Sequence, residues 1–321
     1  MLASIHVGSD ISFRWFDVCF SLKEKAPVTR YPNTPEGHSQ FIEEVGKLAR
    51  KVYICMEHTG GYETALALAC LKAKFIVSII DGGMFSNYRK SLGYAKSKTD
   101  SEDARLLAKF CKERKPAKWF PLPDEYLELK ELVNHREDLI EQKKRLSCQA
   151  SHRVKNTFVS ASRHTVIEVL ELQIEGVEKE IAAFVKACPT LKKQVQLLVS
   201  IPGVAFVSAV RILAETGPIS NYATAKDYAL AAGLVPIVFN SGVKTPPGKL
   251  AVYGNKRLRC AFYFPAVVNS HRKTTVGAFM ERVNGHGNKL KMTVIVAGMR
   301  KIAHIVFGVL KSQSKYNPEL T

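Results

Sequence analysis

The 321 residues contain no signal-peptide pattern and no uninterrupted apolar run of about 20 residues, so neither an export leader nor a membrane span is expected. The most apolar late stretch, 292–310, is broken by Arg300 and Lys301. The seven cysteines are odd in number, scattered, and never paired as Cys-x-x-Cys. Cys19, Cys55 and Cys70 sit inside apolar runs. This pattern excludes a disulfide framework and a zinc site and predicts reduced, buried thiols. The nine histidines form no His-x-x-x-His or Cys/His cluster, so a nitrogen- or sulfur-ligated metal has no ligand set. Internal repeats and low-complexity segments are also missing. Acidic residues are few: 29 against 47 lysines and arginines, a net charge of +18. A chain so basic, with nearly half its residues apolar and hence able to bury cores, calls for a polyanionic partner. With a membrane disfavoured, the expectation is a soluble cytoplasmic protein whose partner is nucleic acid.

The length predicts two or three domains. Residues 1–122 alternate strand-like and helix-like stretches. Strands are expected at 2–7 and 15–22 around a turn at 9–12, and later at 52–56 and 75–80. Helices are expected at 34–48, 62–72 and 99–114, with Thr34 as N-cap and Pro35 in the first turn of the first. Together these predict a mixed sheet with helices on its faces. Residues 123–190 change character. Leu132, Leu139 and Leu146 recur every seven residues, and Leu170, Ile174, Val177, Ile181 and Phe184 alternate four and three. That pattern is a helical hairpin or coiled coil, either intramolecular or a dimer seam. Residues 191–321 predict a mainly α-helical third region. From 239 onward it holds fourteen basic residues against Glu281 and Glu319, a net of +12 with apolar helices among them, which reads as a folded basic surface.

Four acids are spaced for metal-dependent phosphoryl transfer. Asp10 follows the first apolar run, and Glu57 ends another before a Thr-Gly-Gly turn. Asp100 and Asp103 open a helix at i, i+3, on the face that also carries Leu107, which turns them toward the sheet. Two carboxylates from strand ends and two from a helix can converge on a pair of Mg²⁺ or Mn²⁺ ions ~3.5–4 Å apart, the arrangement that clamps attacking and leaving oxygens of a phosphoryl group. The bland alternatives are a turn residue for Asp10 and dipole complementation for the helix acids, a role Glu102 serves equally well. In "LLVSIPGVAFVSAVRILAETG" two apolar helices flank Ile201-Pro202-Gly203-Val204, like a helix-hairpin-helix phosphate grip, with Ala205 where that motif has its second glycine. Further on, Ser241 lies in a loop rich in Gly, Pro and Lys that includes Lys244 and Lys249. Asn255, Lys256, Arg257 and Arg259 then open a helix as candidate nucleic-acid contacts. Read from the residues alone, Ser241 is a polar loop residue with no neighbouring histidine to act as its base.

With these motifs in order, the chain resembles, over nearly its whole length, the DEDD transposases of the "one-ten" insertion-sequence family, which include the Piv/MooV invertases and the RNA-guided bridge recombinases. The matching segments are "GSD", "MEHTGGYE", "KTDSEDARLLA", "NSG" and "GNKRLRCAFYFPA". The resemblance implies a RuvC-like (RNase H fold) catalytic domain in which Asp10, Glu57, Asp100 and Asp103 bind the metal. It implies a C-terminal transposase domain whose Ser241 attacks a DNA phosphate and holds the strand as a phosphoserine. It further implies target and donor DNA, a non-coding bridge RNA, and a homo-oligomer, dimer or tetramer, as partners. The chain departs from the family pattern at Ser9, where an aliphatic residue is usual, at Ala205 and at Asn240. The competing readings are a RuvC-like nuclease or resolvase that uses water as nucleophile, and a non-catalytic nucleic-acid-binding protein.

Overall fold

In a computed structural model the chain is described over residues 4–23, 26–48, 51–94, 99–151, 156–237, 249–250, 254–285, 287 and 291–320. It divides into two compact units, Met1–Pro121 and Leu122–Thr321. The first is a mixed α/β unit. Its strands are β1 (Ser4–Ile11), β2 (Trp15–Cys19), β3 (Val28–Pro32), β4 (Lys51–Glu57) and β5 (Ile76–Ile80), in the order β3-β2-β1-β4-β5. β1, β2 and β3 are antiparallel neighbours, while β4 and β5 run parallel to β1. The helices are α1 (Pro35–Leu48), α2 (Thr64–Lys72), α3 (Gly82–Ser91) and α4 (Asp100–Arg114).

Strand alternation sorts the side chains of this sheet onto two faces. Val7, Ile11, Val18, Ile54, Met56 and Val77 point one way, into a core with Phe41 and Val45 of α1 and Leu66, Ala67 and Cys70 of α2. Gly8, Cys19 and Cys55 share the other face, where Leu107, Phe110 and Cys111 of α4 pack. α4 lies very close there. A Cβ on Gly8 would stand 2.1 Å from the Ala104 carbonyl oxygen, so only glycine fits.

Three departures from the sequence expectation stand out. The first turn falls at Ser12–Arg14 rather than 9–12, so Asp10 lies inside β1, opposite Asp17 of β2. The strands pair beyond the apolar run, so Ser9 and Asp17 are buried in the sheet and Asp10 is partly buried. β3 is only five residues long, has the consecutive polar pair Thr29-Arg30 in place of a clean alternation, and ends in Pro32, which hid it. α3 starts at Gly-Gly, a weak helix opening, but Asp81 caps it by accepting from the Met84 amide at 3.1 Å. Elsewhere Thr34 does cap α1, and Thr99 caps α4.

The second unit is mostly helical. α5 (Asp124–Ser151) and α6 (Thr157–Ala187) are followed by α7 (Pro189–Val199), α8 (Phe206–Thr216), α9 (Ala225–Ala231), α10 (Lys256–Ala261), α11 (Tyr263–Ser270), α12 (Thr275–Asn284) and α13 (Lys291–Ser312). β6 (Pro236–Ile237) and β7 (Lys249–Leu250) form a short antiparallel pair. α5 and α6 pack on one another within the chain. Arg136 meets Glu178, and Lys143 meets Glu171 at 2.7 Å. The base of this hairpin is continuous with the core of the unit, since Leu129, Val133, Ile181 and Val185 share it with α7, α8 and α13. α13 is long and apolar enough to cross a membrane by composition, but 56% of its most apolar window is buried against α7, α9, α11 and α12, as in a core helix. Cys19, Cys55, Cys70 and Cys111 are buried free thiols, as expected, whereas Cys148 and Cys260 are exposed.

Candidate functional site

The α4-facing side of the sheet gathers acids at one end. Asp10 stands on β1 in register with Asp17 on β2, so both point to that side. Glu57 ends β4 two residues beyond Cys55 and shares its face. Its carboxylate runs to the start of α3, where a Cβ on Gly82 would stand 2.7 Å from Oε1, and glycine leaves the room. Asp103 is turned from α4 onto the sheet and is 2% exposed. Asp100, one turn earlier, stays at the rim with 58% of its side chain exposed. The i, i+3 spacing therefore orients both acids toward the sheet end, but only Asp103 goes under the helix.

These charges act on one another. Partial burial, followed by the carboxylates of Asp103, Asp100, Glu57 and Asp17, pushes the Asp10 carboxyl up from 3.8 to about 7. Burial disfavours the charged form of Asp10 itself, and the neighbouring carboxylates add their repulsion. Two arginines answer the repulsion. Arg89 of α3 pairs with buried Asp103 at 2.8 Å. Arg30 of β3 forks onto Asp17, Nε to Oδ1 at 2.9 Å and Nη2 to Oδ2 at 2.7 Å, and reaches Asp100 at 3.5 Å. Among the described residues no three His, Cys, Asp or Glu side chains converge closely enough to hold a metal ion. The physical reason is visible in the pairs: both α4 acids are drawn toward guanidinium groups. The donor set nevertheless fits a hard divalent cation, being all carboxylate oxygen with a surplus of negative charge.

Asp17, Arg30 and Arg89 were not singled out in the sequence. An aspartate inside the apolar strand "WFDVC" was the available signal, since a buried acid needs a partner. The other acid of the turn "TGGYE", Glu63, is structural. It accepts from the Thr59 hydroxyl at 2.7 Å and the Gly61 amide at 3.0 Å.

In the second unit Ser241 and Lys244 lie outside the described residues, and Lys249 is placed by its backbone in β7. Asn255 is occupied at both ends. Its Oδ1 caps α10 at the Leu258 amide, and its Nδ2 donates to buried Glu215 at 2.7 Å. Lys256 is exposed, Arg257 reaches Asp138 at 3.3 Å, and Arg259 is half-buried. In the α7–α8 turn, Asn269 of α11 donates to the Pro202 carbonyl at 2.7 Å, and α8 starts without a side-chain cap.

The combination of an acid-lined sheet end and a basic helical unit is found in enzymes that cut and rejoin nucleic acid, and the similarities to known proteins narrow this class to DNA transposases and DNA-inverting recombinases. A transposase family model matches residues 7–159, and the model described as the transposase IS116/IS110/IS902 family matches residues 195–281. The chain belongs to this IS110-type family of transposases and recombinases. The pilin gene-inverting proteins of Moraxella bovis and Moraxella lacunata are each 27% identical over 99% of this chain and 99% of their own length. The transposase of insertion element IS1328 from Yersinia enterocolitica is 28% identical over 43% of this chain and 40% of its own.

Proposed function

We propose that the chain is a site-specific DNA recombinase that cuts and rejoins strands through Asp10, Glu57, Asp100 and Asp103 on an RNase H-type sheet, with Ser241 as nucleophile. The observation that carries this reading is placement: Asp10, Glu57, Asp100 and Asp103 come from β1, β4 and α4 to one end of the sheet, where burial first and then the neighbouring carboxylates lift Asp10 to about 7. A protein does not gather such charge for stability, so a cation is the natural complement. Mg²⁺ or Mn²⁺ bound by these carboxylates would supply charge neutralisation at phosphorus and lower the pKa of an attacking hydroxyl.

The chain's own groups then divide the work. Ser241 Oγ bonds to phosphorus, one phosphodiester P–O bond breaks, and the freed deoxyribose hydroxyl leaves. The strand stays attached as a phosphoserine, so a later hydroxyl can reverse the step without ATP. The uncapped start of α8 and the cations Lys244, Lys249, Lys256, Arg257 and Arg259 hold backbone phosphates, while Asn255 braces the start of α10. A non-coding guide RNA supplies sequence choice by base pairing. Two duplexes must be held at once, so protomers pair, as a dimer or a tetramer. Phe158, Val166, Val169 and Leu172 remain exposed on the outer half of α6 and offer an apolar surface for that. Inversion is favoured as the natural reaction, because the relatives matched end to end are named for gene inversion.

The test is to trap the protein on DNA. Wild type with Mg²⁺ should give a covalent protein–DNA adduct. Ser241→Ala should lose the adduct and recombination while still binding DNA, and Asp10→Asn should lose both reactions. Recombination surviving in Ser241→Ala would hand the chemistry to a metal-activated water or a DNA hydroxyl.

A further inference from the structure

The acid cluster has an electrostatic difficulty that its own residues address. A nucleic-acid strand brings one negative charge per phosphate, and Asp10, Asp17, Glu57, Asp100 and Asp103 would repel it. A fixed positive group at the entrance is needed, with hydrogen-bond donors left over for the incoming phosphate after it has met the acids.

Arg30 has the geometry for this. Its guanidinium is planar, with two edges that can each make paired hydrogen bonds. The Nε/Nη2 edge is used inside the protein on the two oxygens of Asp17, at 2.9 and 2.7 Å. One face lies over the Trp15 ring, with Cζ 4.9 Å from the centroid. The other edge, Nη1/Nη2, is turned away from Asp17. On that side Nη2 is 3.5 Å from Asp100, the acid at the rim, and Nη1 takes no partner among the described residues. About half of the Arg30 side chain is exposed (51%), against 5% for Asp17. A buried carboxylate thus anchors a guanidinium whose second edge opens on the mouth of the cluster. As a stability device this is poor. Desolvating Asp17 is costly, and a well-packed apolar pair at β2 and β3 would serve the fold as well. The pair makes sense if the guanidinium acts on something outside the chain.

We propose that Arg30 is a substrate-contacting residue: its Nη1/Nη2 edge, which among the described residues meets only Asp100 at 3.5 Å, takes the two non-bridging oxygens of a DNA phosphate entering the acid cluster, and Asp17 and Trp15 are its positioning residues. The inference rests on the reading of the acid cluster as the site of strand cleavage. It adds a residue outside the four acids, and it assigns Asp17 a role distinct from theirs: Asp17 is committed to Arg30 and orients it.

The experiment measures binding in EDTA in the Asp10→Asn background, so that binding is read without turnover. The probes are a mixed-sequence DNA duplex and an RNA hairpin of equal phosphate number, titrated from low to high KCl. Arg30→Gln should raise the Kd for DNA about tenfold at low salt and reduce the slope of log K against log[KCl] by about one. Arg30→Lys keeps the charge without the fork and should keep most of the slope while recovering only part of the affinity. Lys51→Gln, at the other end of β4, should leave the slope unchanged. A slope unaltered by Arg30→Gln, a loss matched by Lys51→Gln, or a loss confined to the RNA probe would each overturn the proposal. Parallel cleavage assays with Mg²⁺ separate the two levels. If Asp10→Asn is inactive and Arg30→Gln binds like its parent, the acid site stands and the Arg30 contact falls. If Asp10→Asn still cleaves, the acid-site reading falls and takes the location of the contact with it.

Discussion

The two faces of the five-stranded sheet are built from alternate residues of the same strands, yet they obey different rules. On the α1/α2 side Phe16, Phe41, Tyr31, Ile54, Met56 and Leu66 are each fully buried in a continuous core. On the α4 side apolar packing stops short of the sheet end, and Asp10, Asp17, Glu57 and Asp103 occupy the remaining positions. One face stabilises by burying apolar surface. The other holds partly buried charges that repel one another, which lowers stability. The difference teaches that α4 does two jobs along its length: its middle, at Ala104, Leu107 and Ala108, locks the sheet, and its first turn delivers acids.

Substitutions on the two faces should therefore separate activity from stability. The largest expected effect is on the acid face: Glu57→Gln should reduce strand cleavage by on the order of 10³-fold or more, with the melting temperature unchanged or raised. Cleavage near the parental rate would break the contrast. Next, on the apolar face, Phe41→Ala should cost about 3–5 kcal/mol of unfolding free energy by denaturant titration, because it leaves a cavity between α1 and the sheet.

A smaller effect comes from pH. Asp10 holds its proton up to about pH 7 in the folded chain, against 3.8 for the ordinary group. Between those values the folded chain binds more protons than the unfolded one. Metal-free stability should therefore fall as pH rises from about 4 to about 7 and remain lower above that. Asp10→Asn should remove this dependence and be more stable by about 1–3 kcal/mol at pH 8 in EDTA. A parallel pH profile for wild type and Asp10→Asn would show that the acids do not press on one another.

The smallest effect concerns a flaw in the apolar face. Ser9 is fully buried between Val18 and Met56, and its hydroxyl has no hydrogen-bond partner among the described residues. Ser9→Ala should stabilise the chain by about 1 kcal/mol, since it removes an unsatisfied polar group at little cost in volume. A loss of stability on that change would mean that the hydroxyl is satisfied in solution.

Much of this was legible in the sequence because it depends on local rules. The cap at Thr34, the helices from 34 and 99 onward, the strand ending at Glu57 and the hairpin heptads all follow from periodicity and turn chemistry. The four acids were singled out for their order along the chain, which resembles a known family, and their part in the chemistry is what we propose. The basic balance of the last quarter likewise needed no coordinates to point to a polyanion. What only the tertiary structure decided is pairing across distance. The register that sets Asp17 against Asp10 comes from the β1–β2 ladder, in which a one-residue slip would turn Asp17 to the opposite face. Arg30 became relevant only when β3 joined the sheet edge, and Arg89 only when α3 folded beside α4. The heptads allowed a hairpin or a seam between chains, and the packing of α5 on α6 shows a hairpin within the chain. Local sequence specifies which side chains a segment offers and on what period, but the partners of a buried charge are chosen by strand register and helix docking, which are properties of the whole unit.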